Sequence, residues 1–282
     1  MPTRKPAVAG SFYPSDPSEL TTMIKESYLS PLGPGRLPPD DPAKIDAVAV
    51  VSPHAGYQYS GAIAAHSYLH ASSLRDPDLL VVVAPNHYGV GSGVSTFESG
   101  LWETPLGALR VDTEAASKLA DACDLVSFEP ESQRMEHSLE VQLPFLQHIF
   151  GDAVSLLPVS MLLQDQATAE SVARGLQAAV EGRRPVIVAS SDLTHYEPDE
   201  SARRKDGALL EEACALDLDG FYSTLAELQV TACGYGPIAT VVSLARALGL
   251  KRGELLKYAT SGDTTGDKHQ VVGYGSLRFV AS

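Results

Sequence analysis

The sequence predicts an α/β fold, a single domain with a central mainly parallel or mixed sheet flanked by helices. Three observations lead there. Short, unbroken apolar runs stop abruptly: Ala47 to Val51 runs into Ser52-Pro53-His54, Leu79 to Ala84 into Pro85-Asn86-His87, and Val186 to Ala189 into Ser190-Ser191-Asp192. Such runs are strands buried on both faces, which a sheet covered by helices on each side requires. Segments of helical spacing separate them, and the two kinds of element interleave along residues 1–282, which favours one domain. Finally, 282 residues with 44% hydrophobic content can bury a large core without disulfides or metal staples.

In chain order, Pro31 to Pro42 is rich in Pro, Gly and Asp and reads as an exposed loop before the first core strand. Ala47 to Val51 is that strand, Gly61 to Leu69 a helix, and Leu79 to Ala84 the next strand. Asp112 to Ala122 follows as a helix with Asp112 as N-cap. His137 to Phe150 has helical spacing, but Pro144 would kink or interrupt it. Val154 to Val159 is a further strand for the sheet, and Asp165 caps a helix over Gln166 to Val180. After the Val186 to Ala189 strand come helices at Ala202 to Leu216 and Pro237 to Leu248, with Pro237 suited to a first turn. Glu254 to Thr260 and Val271 to Val280 read as strands joined by the loop Ser261 to Asp267 and paired at a sheet edge.

The net charge of −14 repels phosphate backbones and anionic membrane surfaces, so neither nucleic acid nor membrane is an expected partner. No apolar stretch after the N-terminal residues could serve as an export signal, and none reaches the roughly 20 residues needed to cross a bilayer. A cytoplasmic protein is expected. Three cysteines are too few and too irregularly spaced for a disulfide framework. Cys123 and Cys214 sit in helical patterns as small hydrophobes. No nucleophile elbow, P-loop or dinucleotide fingerprint is present.

In open α/β sheets ligands bind beyond the carboxyl ends of strands. His54, His87 and the pair Asp192 and His195 all follow predicted strands there. The prolines before His54 and His87 restrict the backbone, and small residues nearby leave room, so two neutral imidazoles form a reasonable core for a zinc, iron or copper site. The bland alternative is a hydrogen bond from each ring within a turn. Cys233 precedes a predicted helix whose N-terminus favours a thiolate, the form that binds metal or attacks an electrophile. Asp192 and His195 could transfer protons or orient ligands, or Asp192 could simply cap a helix beside a surface His195. Glu136-His137-Ser138-Leu139-Glu140 could aim His137 or a carboxylate into the cleft, or merely begin a helix.

These residues lie in segments that resemble the Memo-like family: Val8 to Pro14, Pro53 to Gly61, Ala84 to His87, Glu136 to Leu146, Ser190 to Tyr196 and Cys233 to Pro237. The resemblance runs in order along nearly the whole chain. It implies a fold similar to class III extradiol ring-cleavage dioxygenases, with His54, His87 and Cys233 at the metal positions and Asp192 and His195 lining the same pocket. It also implies iron or copper as cofactor and redox chemistry. Many prokaryotic members resemble protein B of the AmmeMemoRadiSam system, with AMMECR-type and radical-SAM partners. The dioxygenases hold iron with two histidines and a carboxylate, whereas sulfur here raises affinity for softer metals such as Cu(I) and zinc, so ring cleavage does not follow.

Three functions are open to this site. The first is a metal-dependent oxidoreductase acting on an unknown small molecule, with His195 as acid/base and Asp192 as its orienting partner. The second is a non-catalytic metal-handling or peptide-binding module, with Tyr13, Tyr57, Tyr59 and Trp102 as an aromatic rim. The third is hydrolysis with Cys233 as nucleophile and His195 or His54 as base.

Overall fold

The computed structural model describes residues 2–39 and 48–281, so Ala47 and residues 40–42 of the expected elements lie outside the described residues. The chain opens with β1 (Thr3–Arg4) and α1 (Pro17–Leu29), a helix not expected. Asp16 caps it by accepting from the Ser18 and Glu19 amides, and Leu20, Ile24 and Tyr28 form its buried stripe at four-residue spacing. Residues 31–39 carry no regular helix or strand and are largely exposed.

β2 (Val48–Ser52), α2 (Tyr57–Ala71) and β3 (Leu79–Pro85) follow as expected, with the helix longer at both ends. Next come the short strands β4 (Val94–Thr96), β5 (Leu101–Thr104) and β6 (Gly107–Arg110), none of them expected, then α3 (Thr113–Ala122), capped by Asp112. After β7 (Val126–Phe128), the predicted interruption before Phe150 takes the form of two helices, α4 (His137–Glu140) and α5 (Leu143–Phe150). Pro144 stands in the first turn of α5, where its missing N–H costs nothing.

β8 (Ser155–Met161), α6 (Gln166–Val180) and β9 (Pro185–Ser190) match expectation. The short β10 (His195–Glu197), α7 (Asp199–Ala215), an unexpected α8 (Leu218–Glu227) and α9 (Tyr235–Ala247) follow. At the end stand β11 (Arg252–Thr260), α10 (Ser261–Thr265) and β12 (Val271–Val280). The expected Ser261 to Asp267 loop therefore contains a helical turn. Thr260 and Asp263 create it with a reciprocal capping box.

The main sheet is mixed, in the order β10-β12-β2-β9-β3-β8-β4-β7, with β11 also paired to β12. Its centre, β2-β9-β3-β8, is parallel throughout, while β12 and β4 flank it antiparallel. β11 and β12 pair as expected, but β12 is interior, bonded to β2 and β10 on its other side. A smaller sheet has the order β1-β5-β6.

Alternation along the central strands divides the core. Ala49, Val51, Val81, Val83, Ile187 and Ala189 pack with α3, α6 and α9 on one face. Val48, Val50, Leu80, Val82, Val186 and Val188 pack with α1, α2 and α5 on the other. Burial on both faces explains why these strands are continuously apolar in sequence. Among the described residues no helix is long and apolar enough to cross a membrane.

Candidate metal centre

β2, β9 and β3 are adjacent and parallel, so the segments leaving their C-terminal ends emerge side by side. His54 leaves β2, Asp192 leaves β9 and His87 leaves β3. Cys233 comes from the turn before α9. Its amide donates to the Asp192 carbonyl at 3.2 Å, and the Gly234 amide donates to Ser191 Oγ at 3.0 Å. Gly234 is needed for this close approach, since a Cβ there would lie 2.4 Å from the Ser190 carbonyl oxygen.

One donor atom from each of His54, His87 and Cys233 lies within 4.8 Å of the others. His54 is buried; its Nε2 lies 3.2 Å from Cys233 Sγ and its Nδ1 2.9 Å from Ser190 Oγ. The His87 side chain is 30% exposed, and Glu136 holds it with both oxygens: Oε2 accepts from the backbone amide at 2.6 Å and Oε1 lies 2.9 Å from Nδ1. Occupation of Nδ1 leaves His87 Nε2 as its free donor. Two borderline nitrogens and one sulfur, each anchored from behind, suit a zinc, copper or iron ion.

Burial and the neighbouring His137 and His87 rings keep His54 well below the usual histidine range, so it is neutral near pH 7. Burial pushes the Cys233 thiol up, and Asp192 adds to the effect. The thiolate expected from the α9 terminus is thus not favoured by the protein alone, because desolvation and a nearby carboxylate outweigh the helix end. A bound cation would reverse that balance.

Asp192 is not a helix cap, since no helix follows it; its Oδ1 accepts the His54 amide at 2.8 Å. Burial pushes its carboxyl up to about 6 despite that bond. His195 takes its hydrogen bonds from Thr231: its amide donates to Oγ1 at 2.8 Å and its Nδ1 lies 3.0 Å from the Thr231 carbonyl oxygen. A carbonyl only accepts, so Nδ1 carries the proton and Nε2 is left with a lone pair.

His137 stacks on His87 with centroids 4.7 Å apart and meets His54 edge-on at 5.5 Å. Burial takes its ring down to about 4, so it is a neutral wall of the cleft. With His87 and Glu136 it forms a second cluster of ligand-type atoms. Burial alone would raise the Glu136 carboxyl, but His87 and the Ser138 amide bring it down to about 2. Glu140 faces away from this chemistry, accepting from Arg4, Tyr13 and the Ala7 and Val8 amides.

Of the aromatic rim considered from sequence, Tyr13, Tyr57 and Trp102 are buried packing residues, and Tyr59 alone is exposed. Tyr88 and Tyr196, beside His87 and His195 in the chain, are exposed instead, as is Val90 three residues after His87. Tyr196 is 71% exposed in a left-handed conformation, φ 58°. Sequence reasoning overlooked Ser190 and Gln142 as individual residues. The abrupt end of the β9 apolar run was the available signal for the first, and nothing local marked the second.

Comparison with known proteins identifies the family and the fold. A sequence model described as "Memo-like protein" matches residues 4–278. A MEMO1 family protein of Methanopyrus kandleri is 44% identical over 278 residues, covering 98% of each chain. One from Sulfolobus acidocaldarius is 45% identical over 281 residues, covering 98% of this chain and 99% of its own. Among solved structures, an uncharacterized Escherichia coli K12 protein shares the fold at a TM-score of 0.53 and 15% identity, over 82% of this chain and 98% of its own. The matched region contains every residue of the cluster, and the chain belongs to the Memo-like family.

Proposed function

We propose that this protein binds a single transition-metal ion, iron or copper with zinc as a further candidate, through His54, His87 and Cys233. The bound metal would serve redox or dioxygenase-like chemistry on a small molecule in the cytoplasm. The supporting observation is the convergence of the three donors beyond the ends of adjacent parallel strands. The bound ion would supply a Lewis acid and, as iron or copper, a redox-active centre. His195 can take up a proton at Nε2, since Thr231 holds its other nitrogen. Asp192 fixes the His54 backbone, and its carboxyl can exchange a proton near neutral pH.

Metal analysis of protein purified without added metal, alongside His54→Ala and Cys233→Ala, tests the reading. Loss of the metal in both variants is expected; equal occupancy in all three proteins would rule the site out.

The exposed Tyr88, Val90 and Tyr196 favour a second reading, a metal-handling module that docks a peptide or protein, with AMMECR-type and radical-SAM proteins as candidate partners. Metal-dependent oxygen consumption with a catechol-like substrate would separate the enzyme from that module. Hydrolysis by a Cys233–His54 pair is disfavoured, because a raised thiol beside a depressed imidazole opposes proton transfer between them.

A further inference from the structure

Ser190 Oγ lies among three polar groups: the Ser138 carbonyl oxygen at 2.6 Å, Gln142 Nε2 at 2.7 Å and His54 Nδ1 at 2.9 Å. The direction of each bond follows from groups that can only accept. Gln142 Nε2 also meets the Pro53 carbonyl oxygen at 3.0 Å, so the amide nitrogen must face that way, and Tyr68 donates its hydroxyl proton to Gln142 Oε1. The second amide proton of Gln142 then goes to Ser190 Oγ. The Ser138 carbonyl takes the single Ser190 hydroxyl proton. Ser190 Oγ has one remaining capacity toward His54, and it is to accept. Tyr68, Ser138, Gln142, Ser190 and His54 are all buried, so water cannot readily rearrange the set.

We infer that Ser190, oriented by Ser138 and Gln142, is a positioning residue that holds His54 as the Nδ1–H tautomer and thereby turns the Nε2 lone pair toward Cys233 Sγ. Its importance for metal rests on the proposed ligand set; the tautomer does not. With that tautomer the same lone pair is available to the Cys233 thiol across 3.2 Å, the thiol's other acceptor being the Asp192 carbonyl oxygen at 3.6 Å. Loss of the Ser190 hydroxyl would strand Nδ1–H without a partner and favour the opposite tautomer, whose Nε2–H cannot bind a metal.

The experiment uses the metal-free protein labelled with 15N-histidine, with the His54 ring assigned by its absence from His54→Ala. Long-range proton–nitrogen correlation of the wild-type protein should show His54 protonated at Nδ1, and Ser190→Ala should shift it toward Nε2–H. Zn2+ binding by competition with a chromogenic chelator should weaken ten- to hundredfold in Ser190→Ala. Ser190→Thr, which keeps the hydroxyl, should restore both readouts. A His54 ring protonated at Nε2 in the wild-type protein would overturn the inference, as would an unchanged tautomer in folded Ser190→Ala. If the wild-type protein bound no Zn2+, Fe2+ or Cu+, the metal reading would fall while the nitrogen spectra still decided the tautomer.

Discussion

Replacing Glu140 by Gln should strip the N-terminal segment of its main anchor. Each carboxylate oxygen takes two donors: Oε2 accepts from Arg4 and the Ala7 amide, Oε1 from the Val8 amide and the Tyr13 hydroxyl. An amide in the same place must turn its NH2 toward one of these pairs. The Tyr13 side costs less, because a hydroxyl can reverse and accept, but the Val8 N–H is then orphaned at about 1–3 kcal/mol. Arg4 meanwhile loses its countercharge where both side chains are almost fully buried, and breaking such a pair costs about 3–5 kcal/mol. The Gln133 and Glu136 carbonyls and the Trp102 ring still hold the guanidinium, so the two losses do not simply add. A net destabilisation of about 3–5 kcal/mol is expected, a large share of a typical folding free energy. Urea unfolding at pH 7 measures it, and a cycle with Arg4→Met isolates the pair. A Glu140→Gln cost below about 1 kcal/mol would refute the reasoning, because neither buried donor would then need the carboxylate.

Glu136→Gln must oppose an NH2 to at least one His87 N–H, so zinc affinity should fall about ten- to hundredfold; chelator competition showing no change would separate Glu136 from His87 function. Gly234→Ala puts a methyl 2.4 Å from the Ser190 carbonyl oxygen and should cost about 1–3 kcal/mol by displacing the Cys233 turn, readable by thermal melting. An unchanged melt would show that the turn has slack. The Arg203 guanidinium and Thr260 hydroxyl hold the Asp199 carboxyl down to about 2, below its unfolded value. Its contribution is therefore complete above about pH 4 and disappears as the pH falls toward 2. Because Arg203 is 37% exposed, the expected size is only about 1–2 kcal/mol. Asp199→Asn should flatten that part of the stability profile, and parallel pH curves for both proteins would contradict it.

The central strands were legible because burial on both faces leaves one simple trace, an apolar run ended by Pro or Ser at the point where His54, His87 and Asp192 begin. Helix α1 carried a readable start in Asp16-Pro17 that its weakly apolar sequence concealed. The β5 and β6 hairpin, at four residues a strand, is too short for a two-residue period to declare itself. Cys233 stood out as a reactive type, but its nearness to His54 comes from the Asp192 carbonyl that holds its amide and from the glycine after it. Gln142 had no local mark at all, and Ser190 only the end of the β9 apolar run. Their roles arise from donors and acceptors supplied by Tyr68, Pro53 and Ser138, which meet only after the sheet and helices have packed.

The parallel centre of the sheet also sets a timetable. His54 meets Asp192 across 138 residues and Cys233 across 179. At about 5–20 residues per second of synthesis, the thiol leaves the ribosome roughly 10–40 s after the imidazole it faces. For most of that interval β2 has no β9 to pair with, and pairing at such range is intrinsically slow even in the finished chain. The sulfur is therefore the last of the three donors to emerge, with α9, β11 and β12 still to follow it. A nascent or truncated chain lacking its final third would present two histidines without their sulfur.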